Sequence, residues 1–378
     1  MGSIVPLRDE RRHYQSIQSA TMSETYVALI GLGGVGKVFL SQLPHLKIST
    51  FAKPTVIFAA RSSKQLYTKS YDAVDATKID SSSSQILSLP EIATYLAGAP
   101  GKVILVDNTS DQKVAESYPT FLKQGISVVT ANKKGFSSSL ELWNDIFGSV
   151  SSKALLYHES SCGAGLPLIS TLKDLVNTGD QITKIEGVFS GTMSFLFNQF
   201  APASGQGKGK WSEIVSQAKD AGYTEPDPRD DLNGMDVARK CTILARYAGL
   251  QVQGPESFPV QSLIPKQLES ASSASEFMDK LPQYDDEMEK YKEDAAKQGR
   301  LVRFVASVDV PSNKVNVGLE MVAKDSPIAG LQGSDNIFVI HTKRYSNSPL
   351  VIQGAGAGGE VTAMGVSADL IKVIERLS

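Results

Sequence analysis

The sequence has very little cysteine, no long apolar run and almost no net charge. Cys162 and Cys241 are too few for a disulfide framework and lack metal-site spacing, so we expect a reducing compartment, the cytoplasm. No apolar run reaches the ~18 residues of a membrane span, and residues 1–21 lack the apolar core of a signal peptide. The formal net charge of -2 gives no large positive field, so we expect neither nucleic acid nor a membrane as partner.

Histidine is also scarce and scattered. The four histidines stand at positions 13, 45, 158 and 341 without an HExxH pair, which argues against a zinc site. Aligning Gly234 with the invariant glycine of a calcium-binding EF-hand would put Arg229 and Lys240 at the first and last ligand positions. Because neither side chain can bind a cation, an EF-hand is excluded.

Short apolar runs alternate with helical stretches in the first part of the chain, at residues 26–30, 55–60, 102–106, 126–130 and 154–157. This alternation predicts a parallel sheet with crossover helices. Later residues change to longer helices and then to strands with period-two alternation, at 301–308 and 315–322. We therefore predict an α/β protein, with a Rossmann-type dinucleotide-binding domain and a second α+β catalytic and dimerisation domain.

The same patterns divide the chain into four segments. Residues 1–22 form a polar extension predicted to be disordered, and residues 23–165 form the NAD(P)-binding domain. Residues 166–348 form the substrate-binding, catalytic and dimerisation domain. Residues 349–378 contain a strand, a glycine turn and a helix that we expect to return to the nucleotide-binding domain.

A glycine-rich segment follows the first apolar run and opens a helix. Its residues are Gly31, Leu32, Gly33, Gly34, Val35 and Gly36. Such a turn lets a pyrophosphate approach the backbone and the free amides of a helix end, which predicts dinucleotide binding. The segment also resembles a P-loop, but Val38 stands where a hydroxyl must reach magnesium. A purely structural turn is the remaining alternative.

The end of the second apolar run bears on the choice of cofactor. NAD-binding domains usually carry an Asp or Glu there for the ribose 2′-hydroxyl, but no carboxylate occurs between residues 27 and 71. Arg61 and Lys64 instead offer positive charge to a 2′-phosphate. We predict a preference for NADP. The alternative is that both are ordinary surface charges.

Two lysines are candidates for proton transfer beside a nicotinamide. Lys133 follows a predicted strand, and Lys240 stands four residues after Asp236 on a predicted helix, so this acid and base share one helix face. An ordinary surface ion pair, and solvated lysines at a loop, are the structural alternatives.

Six blocks in order along the chain carry a family resemblance. They are TANKK at 130–134, HESSCGAGLP at 158–167, GVFSGT at 187–192, GYTEPDP at 222–228, DLNGMDVARK at 231–240 and GAGAG at 354–358. Together with the first glycine loop, they resemble homoserine dehydrogenase of the short fungal type, which has no fused kinase or C-terminal regulatory domain.

This resemblance implies reversible hydride transfer between L-aspartate 4-semialdehyde and L-homoserine, a step of threonine and methionine biosynthesis. It implies that Lys240 donates the proton to the carbonyl oxygen and that Lys133 assists beside it, touching substrate or cofactor. Glu225 and Asp236 would bind the substrate. Some members accept either nicotinamide cofactor, so the predicted preference for NADP does not exclude NAD.

The resemblance also assigns a cofactor lining, a sodium ion and an assembly. Residues implied to line the dinucleotide beside the first loop are Thr109, Ser110, Lys133, Gly222 and Gly358. The sodium site is implied at Glu159, Cys162, Ala164 and Leu166, with backbone carbonyls as ligands at the last three, since hard cations take oxygen. A homodimer formed through the second domain is expected.

Two other functions stay open from the residues alone. One is a different NAD(P)-dependent amino-acid oxidoreductase, such as an aspartate dehydrogenase. Glu225 and Asp236 favour a substrate that carries an ammonium group, but they do not determine how many carbon atoms that substrate has. The other is a non-catalytic NADP-binding sensor, since a fold does not fix a function.

Overall fold

The computed structural model describes residues 24–48 and 54–377, which form two β-sheets with helices around them. The extension predicted at residues 1–22 lies outside the described residues. The predicted α/β class with a Rossmann-type domain is confirmed by the sheets described below.

The first sheet has six strands in the order β3-β2-β1-β4-β5-β6. All neighbours pair in parallel except β3, which runs antiparallel to β2. The strands are β1 Thr25–Ile30, β2 Thr55–Arg61, β3 Lys64–Tyr67, β4 Lys102–Asp107, β5 Ser127–Thr130 and β6 Leu156–Tyr157. The five predicted apolar runs correspond to the five parallel strands. Strand β3 was not predicted, because its four residues carry no clear apolar pattern.

The second sheet is antiparallel throughout, in the order β11-β10-β7-β8-β9. Its strands are β7 Ile182–Val188, β8 Arg300–Asp309, β9 Lys314–Ala323, β10 Asn336–Thr342 and β11 Leu350–Gly354. Strand β10 escaped prediction because it is buried almost throughout and lacks period-two alternation.

Fourteen α-helices occur among the described residues. They are α1 Gly34–Gln42, α2 Leu89–Ala97, α3 Gln112–Glu116, α4 Tyr118–Lys123, α5 Lys134–Ser137, α6 Leu140–Gly148, α7 Ile169–Asn177, α8 Gly191–Phe200, α9 Trp211–Asp220, α10 Arg229–Leu232, α11 Met235–Tyr247, α12 Ala274–Lys280, α13 Asp285–Lys297 and α14 Gly359–Leu377. Over residues 24–48 and 54–377, no helix combines the length and apolar character needed to cross a membrane.

The C-terminal segment is divided between the two sheets. Strand β11 pairs with β10 in the second sheet, whereas α14 contacts α1, β4 and β5 of the first sheet. Val366, Leu370 and Val373 of α14 share a buried cluster with Val27 and Val106. The predicted return to the nucleotide-binding part is therefore made by α14 alone. Strand β11 stays in the second sheet, because it is hydrogen-bonded to β10. The remaining domain bounds stay predictions.

The turn from β1 into α1 depends on contacts that only glycine allows. A Cβ added at Gly36 would lie 2.0 Å from the carbonyl oxygen of Gly31, which is closer than any real contact. At Gly34 an added Cβ would meet no atom within 4 Å. Gly36 therefore serves the packing of the turn itself, whereas Gly34 borders open space.

Replacing Gly36 with alanine should destabilise the first domain, because the backbone of the turn must move to admit the methyl group. We expect the free energy of unfolding to fall by about 1–3 kcal/mol, the usual cost of overpacking. The matched control, Gly34→Ala, adds the same methyl group to open space and should leave stability within about 0.5 kcal/mol of the parent protein. Urea denaturation measures both; equal stabilities for the two variants would contradict this account of the turn.

Candidate active site

Three loops meet at the carboxyl ends of β1, β4 and β5, where open α/β sheets bind their ligands. Gly31 has a left-handed φ of 92°, and a Cβ there would lie 2.7 Å from the Thr109 side chain. The loop after β1 and the loop after β4 are therefore in direct contact. Gly33 and Gly34 have no atom within 4 Å of an added Cβ, so this side of the turn is open to a ligand.

The N-terminus of α1 suits a phosphate group. No side chain caps this helix end and no acid stands in its first turn, so its free amides can bind an anion. Val38 lies beside the start of α14, since a Cβ added at Gly359 would be 3.5 Å from its side chain. The Val38 side chain has no oxygen and packs beside α14, so it has no magnesium role. The same contact brings the neighbouring Gly358 next to α1.

The remaining predicted cofactor residues differ in their surroundings. The Thr109 amide donates to Asp107 Oδ1 at 2.7 Å, whereas Ser110 is exposed. Gly222 lies exposed at the end of α9 with a left-handed φ of 74°. A Cβ added at Gly222 would meet no atom within 4 Å, so this glycine borders open space.

Asp107, at the end of β4, organises the loop that carries Lys133. Its carboxylate accepts hydrogen bonds from the Tyr118 hydroxyl and from Asn132 Nδ2, the latter at 3.1 Å. Asn132 Nδ2 also donates to the Asp111 carbonyl at 2.8 Å. Burial raises the pKa of Asp107, although these donors lower it in part. The network is buried and fixes the backbone of the loops that follow β4 and β5.

Lys133 and Lys240 converge on one carboxylate. Lys240 Nζ lies 2.7 Å from Asp236 Oδ2, and Lys133 Nζ lies 3.6 Å from Asp236 Oδ1. Lys133 comes from the loop after β5, whereas Asp236 and Lys240 stand one turn apart on α11. The structure thus brings together the two lysines predicted as candidates for proton transfer.

The surroundings of Lys240 differ from those of a surface lysine. Its side chain is only 7% exposed, and its ammonium also donates to the Phe189 carbonyl at 2.7 Å. Burial alone would raise the pKa of Asp236, but the ammonium groups of Lys240 and Lys133 outweigh burial and hold that pKa far below its usual range. The alternative of a plain solvated ion pair is therefore wrong for Lys240.

The junction between the two parts is built around α11. Arg246 on this helix donates to the carbonyls of Phe136 and Ser138, both at 2.6 Å. The His158 ring stacks on Phe136 with centroids 3.8 Å apart and lies 2.6 Å from the Tyr247 hydroxyl. Burial lowers the pKa of His158 well below its usual value, so the ring is neutral. These contacts hold α5, which follows Lys133, against α11.

The acidic loop before α11 is tied to the start of α8. Asp231 accepts a hydrogen bond from the Glu225 amide at 2.8 Å, and the Thr192 hydroxyl lies 2.9 Å from Asp231 Oδ1 and 2.6 Å from the Tyr223 carbonyl. Burial raises the pKa of Asp231. The Glu225 side chain remains exposed at the loop surface. Asp227 pairs with Arg229 at 2.6 Å and so shapes the loop itself.

At the turn from β2 into β3, the two residues predicted to bind the 2′-phosphate already have protein partners. Arg61 Nη1 lies 2.7 Å and 2.9 Å from the two oxygens of Asp80. Lys64 Nζ donates to the Ser82 carbonyl at 3.2 Å. Asp80 therefore places a carboxylate at the end of β2, although none occurs there in sequence.

The predicted sodium ligands lie in the loop between β6 and α7. The Glu159 carboxylate accepts from the amides of Ile169 and Ser170 at 2.5 Å and 3.0 Å and so caps α7. Burial raises the pKa of Cys162 to about 12, which keeps its thiol neutral. Ala164 has a left-handed φ of 54°. Within the described ranges no three His, Cys, Asp or Glu side chains gather as a metal site, so a cation here would depend on backbone oxygens.

Several groups in this site were not assigned from the sequence. They are Asp107, Asn132, Phe189, Thr192, Asp231 and Asp80. Some of their contacts join residues far apart in the chain, 19 positions between Arg61 and Asp80 and 51 between Lys240 and Phe189. The available signal was local: Asp107 and Thr192 each stand where a strand passes into a loop or helix.

Comparison with family models covers most of the chain. The model described as the NAD binding domain of homoserine dehydrogenase matches residues 31–158. The model described as homoserine dehydrogenase matches residues 167–371. Lys133 falls within the first match, and Asp236 and Lys240 fall within the second.

Individual relatives agree with the family models. The chain is 60% identical to homoserine dehydrogenase of Emericella nidulans, over 93% of this chain and 99% of the relative. It is 47% identical to homoserine dehydrogenase of Saccharomyces cerevisiae, over 93% of this chain and 98% of the relative. A crystal structure of a protein of unknown function from Candida auris is 49% identical, with a TM-score of 0.89, over 94% of this chain and 99% of that one.

These matches confirm the resemblance that the six sequence blocks indicate. The relatives have nearly the same length as the region they match, and both named fungal proteins are homoserine dehydrogenases. The chain accordingly belongs to the homoserine dehydrogenase family and is an NAD(P)-dependent oxidoreductase of the monofunctional fungal type.

Proposed function

We propose that the chain reduces L-aspartate 4-semialdehyde reversibly to L-homoserine with NADP(H), as a step of threonine and methionine biosynthesis. The observation that carries this proposal is the carboxylate of Asp236 shared by Lys133 and Lys240. An aldehyde reduced by hydride needs a proton at its oxygen, and a buried ammonium beside a cofactor cleft can supply it.

In the proposed mechanism Lys240 is the proton donor. When bound, the nicotinamide ring supplies or accepts the hydride. Lys240 transfers one proton from Nζ to the aldehyde oxygen, so that the carbonyl becomes the hydroxyl of homoserine, and the reverse reaction returns the proton to Nζ. Asp236 and the Phe189 carbonyl orient the ammonium. Lys133 adds a second positive charge that stabilises negative charge on the oxygen.

Substrate binding is assigned to the carboxylates of Asp236 and Glu225. Asp236 is half-exposed beside Lys240, and Glu225 is exposed on a loop that Asp231 holds in place. We assign Glu225 to the ammonium group of the substrate, because an exposed carboxylate on a fixed loop can pair with it. Orientation of the substrate against Lys240 then lowers the barrier without further chemistry.

The cofactor is assigned to the carboxyl ends of the paired strands β1 and β4, and NADP is preferred over NAD. The pyrophosphate would meet the open side of Gly33 and Gly34 and the free amides of α1. Arg61 and Lys64 would meet the 2′-phosphate, with Lys64 held by a single hydrogen bond. Thr109, Ser110 and Gly358 would line the adjacent surface, whereas Gly222 is kept only on the family resemblance.

A sodium ion is proposed in the loop between β6 and α7. Support comes from the left-handed Ala164, which turns the chain sharply, and from the carbonyls of Cys162 and Ala164, which accept no hydrogen bond among those the structure describes. Glu159 would add negative charge, and Leu166 a further carbonyl. When bound, the ion would hold this loop at the junction of the two parts.

Assembly and location complete the proposal. A homodimer is proposed through the second sheet, where the edge strand β11 exposes 40% of Val351. The opposite edge is less suited, since Gln261 donates to the Val317 carbonyl of β9 at 2.8 Å and covers it. The cytoplasm is proposed because Cys162 and Cys241 are both free and buried thiols.

Replacing Lys240 with methionine should abolish turnover while cofactor binding persists, because the side chain keeps its apolar length but loses its proton. We expect kcat for homoserine oxidation to fall by about a hundredfold to ten-thousandfold. NADPH binding, followed by ligand fluorescence, should change less than about threefold. Lys266→Met removes an exposed lysine and serves as the matched control. Turnover near the parent value in Lys240→Met would refute the proton-donor assignment.

Replacing Glu225 with glutamine should weaken substrate use, because a charged hydrogen bond to the ammonium is lost at constant shape. The Michaelis constant for L-homoserine should rise about tenfold to a hundredfold, with the constant for NADP unchanged. Asp230→Asn removes an equal charge from an exposed residue of the short helix α10, which follows the loop, and should change neither constant. An unaltered homoserine constant in Glu225→Gln would exclude the ammonium-binding role.

Replacing Arg61 with alanine should affect NADP far more than NAD, because only NADP carries the 2′-phosphate. We expect the Michaelis constant for NADP to rise about tenfold or more and that for NAD to stay within about twofold. Steady-state oxidation of homoserine with each cofactor measures this, with the exposed Lys69→Ala as the charge control. Equal changes for the two cofactors would show that Arg61 does not meet the phosphate.

A further inference from the structure

We propose that Asp80 is a specificity-determining residue that reads the 2′ position of the adenosine ribose and limits the preference for NADP. This inference rests on the proposed function, in which the adenosine ribose of NADP or NAD lies at the end of β2. Asp80 lies outside every motif noted in the sequence, 19 positions after Arg61, yet its carboxylate meets the Arg61 guanidinium at the end of β2.

The position of Asp80 is fixed by the segment that carries it. Asp80 stands in a 3-10 turn, Ala76–Ser81, that follows β3. The Val74 amide donates to the Val56 carbonyl of β2 at 2.8 Å, and Ile79 is only 3% exposed. The Asp75 side chain accepts from the Thr77 amide at 3.1 Å and caps the turn. A fixed backbone on both sides therefore delivers the Asp80 carboxylate to the end of β2.

The chemistry of this place depends on which group occupies it. Dinucleotide-binding domains that use NAD hold a carboxylate at the end of the second strand, where it accepts a hydrogen bond from the ribose 2′-hydroxyl. In this chain the second strand ends in Arg61, and Asp80 supplies the carboxylate from a different element. The two residues together therefore present an acceptor for a hydroxyl and a donor for a phosphate at one point.

The ion pair between Arg61 and Asp80 is exposed to solvent, so either residue can exchange its partner for a bound ligand. The side chains of Arg61 and Asp80 are 39% and 74% exposed, so their ion pair is weak and solvent-screened. A 2′-phosphate accepts bidentate hydrogen bonds from a guanidinium and can displace Asp80. With NAD, Arg61 keeps its contact to Asp80, whose remaining lone pairs accept the 2′-hydroxyl. In both cases the charge of Asp80 favours NAD relative to NADP.

The test is Asp80→Asn, which keeps the shape and removes the charge. We expect the ratio of kcat/KM for NADP to that for NAD to rise about tenfold, the size of one close unit charge facing a dianion in water. The change should appear in the Michaelis constants of the cofactors, with kcat for homoserine oxidation unaltered. Asp72→Asn removes another exposed carboxylate, which contacts Ser70 and not Arg61, and should leave the ratio unchanged. Thermal melting of each variant checks that the fold is retained.

Comparison with Arg61→Ala separates this inference from the function on which it rests. If Arg61→Ala harms NADP selectively and Asp80→Asn leaves the ratio unchanged or lower, the role of Asp80 is overturned and the role of Arg61 stands. If neither variant changes the ratio, both assignments fail. If Asp80→Asn raises the ratio while Arg61→Ala acts equally on both cofactors, Asp80 opposes the phosphate directly and the Arg61 assignment alone is lost.

Discussion

The carboxylate of Asp236 is the contact on which the candidate site depends. Two ammonium groups brought to one cleft repel each other, and this repulsion favours their separation or deprotonation. Asp236 lies between them, 2.7 Å from Lys240 and 3.6 Å from Lys133, and its single negative charge attracts both ammonium groups. Because Lys133 lies in the loop after β5 of the first sheet and Asp236 lies on α11, the same contact also joins the two halves of the molecule.

The two lysines of this site are held by different buried groups. Asn132 and Asp107 fix the loop before α5, and Arg246 holds α5 itself through two carbonyls. The Phe189 carbonyl fixes Lys240 from the end of β7. Positions set by satisfied, buried hydrogen bonds are more rigid than positions set by exposed ion pairs. The positions of the site residues are therefore set by buried hydrogen bonds in both parts of the molecule and not by exposed charges at the site.

Sequence patterns were sufficient for the parts of the fold with a local cause. The apolar runs predicted all five parallel strands, the glycine segment predicted the turn into α1, and the four-residue spacing predicted that Asp236 and Lys240 share a face. Pairings between distant residues were beyond such patterns. The partner of β11, the approach of Asp80 to Arg61 and the network around Asp107 each depend on tertiary contacts that no local period encodes. Strand β10 was missed for a related reason, since burial on both faces removes the alternation.

The surroundings of Lys240 and of Arg61 differ in how strongly water screens electrostatic interactions. Lys240, the proposed proton donor, is 7% exposed, whereas Arg61, the proposed contact of the 2′-phosphate, is 39% exposed. Electrostatic interactions are strong where water is excluded and weak where it screens them. We therefore expect a charge change at Arg61 or Asp80 to alter cofactor affinity without disturbing the field at Lys240. Cofactor preference can vary within this fold while the chemistry at the shared carboxylate is retained.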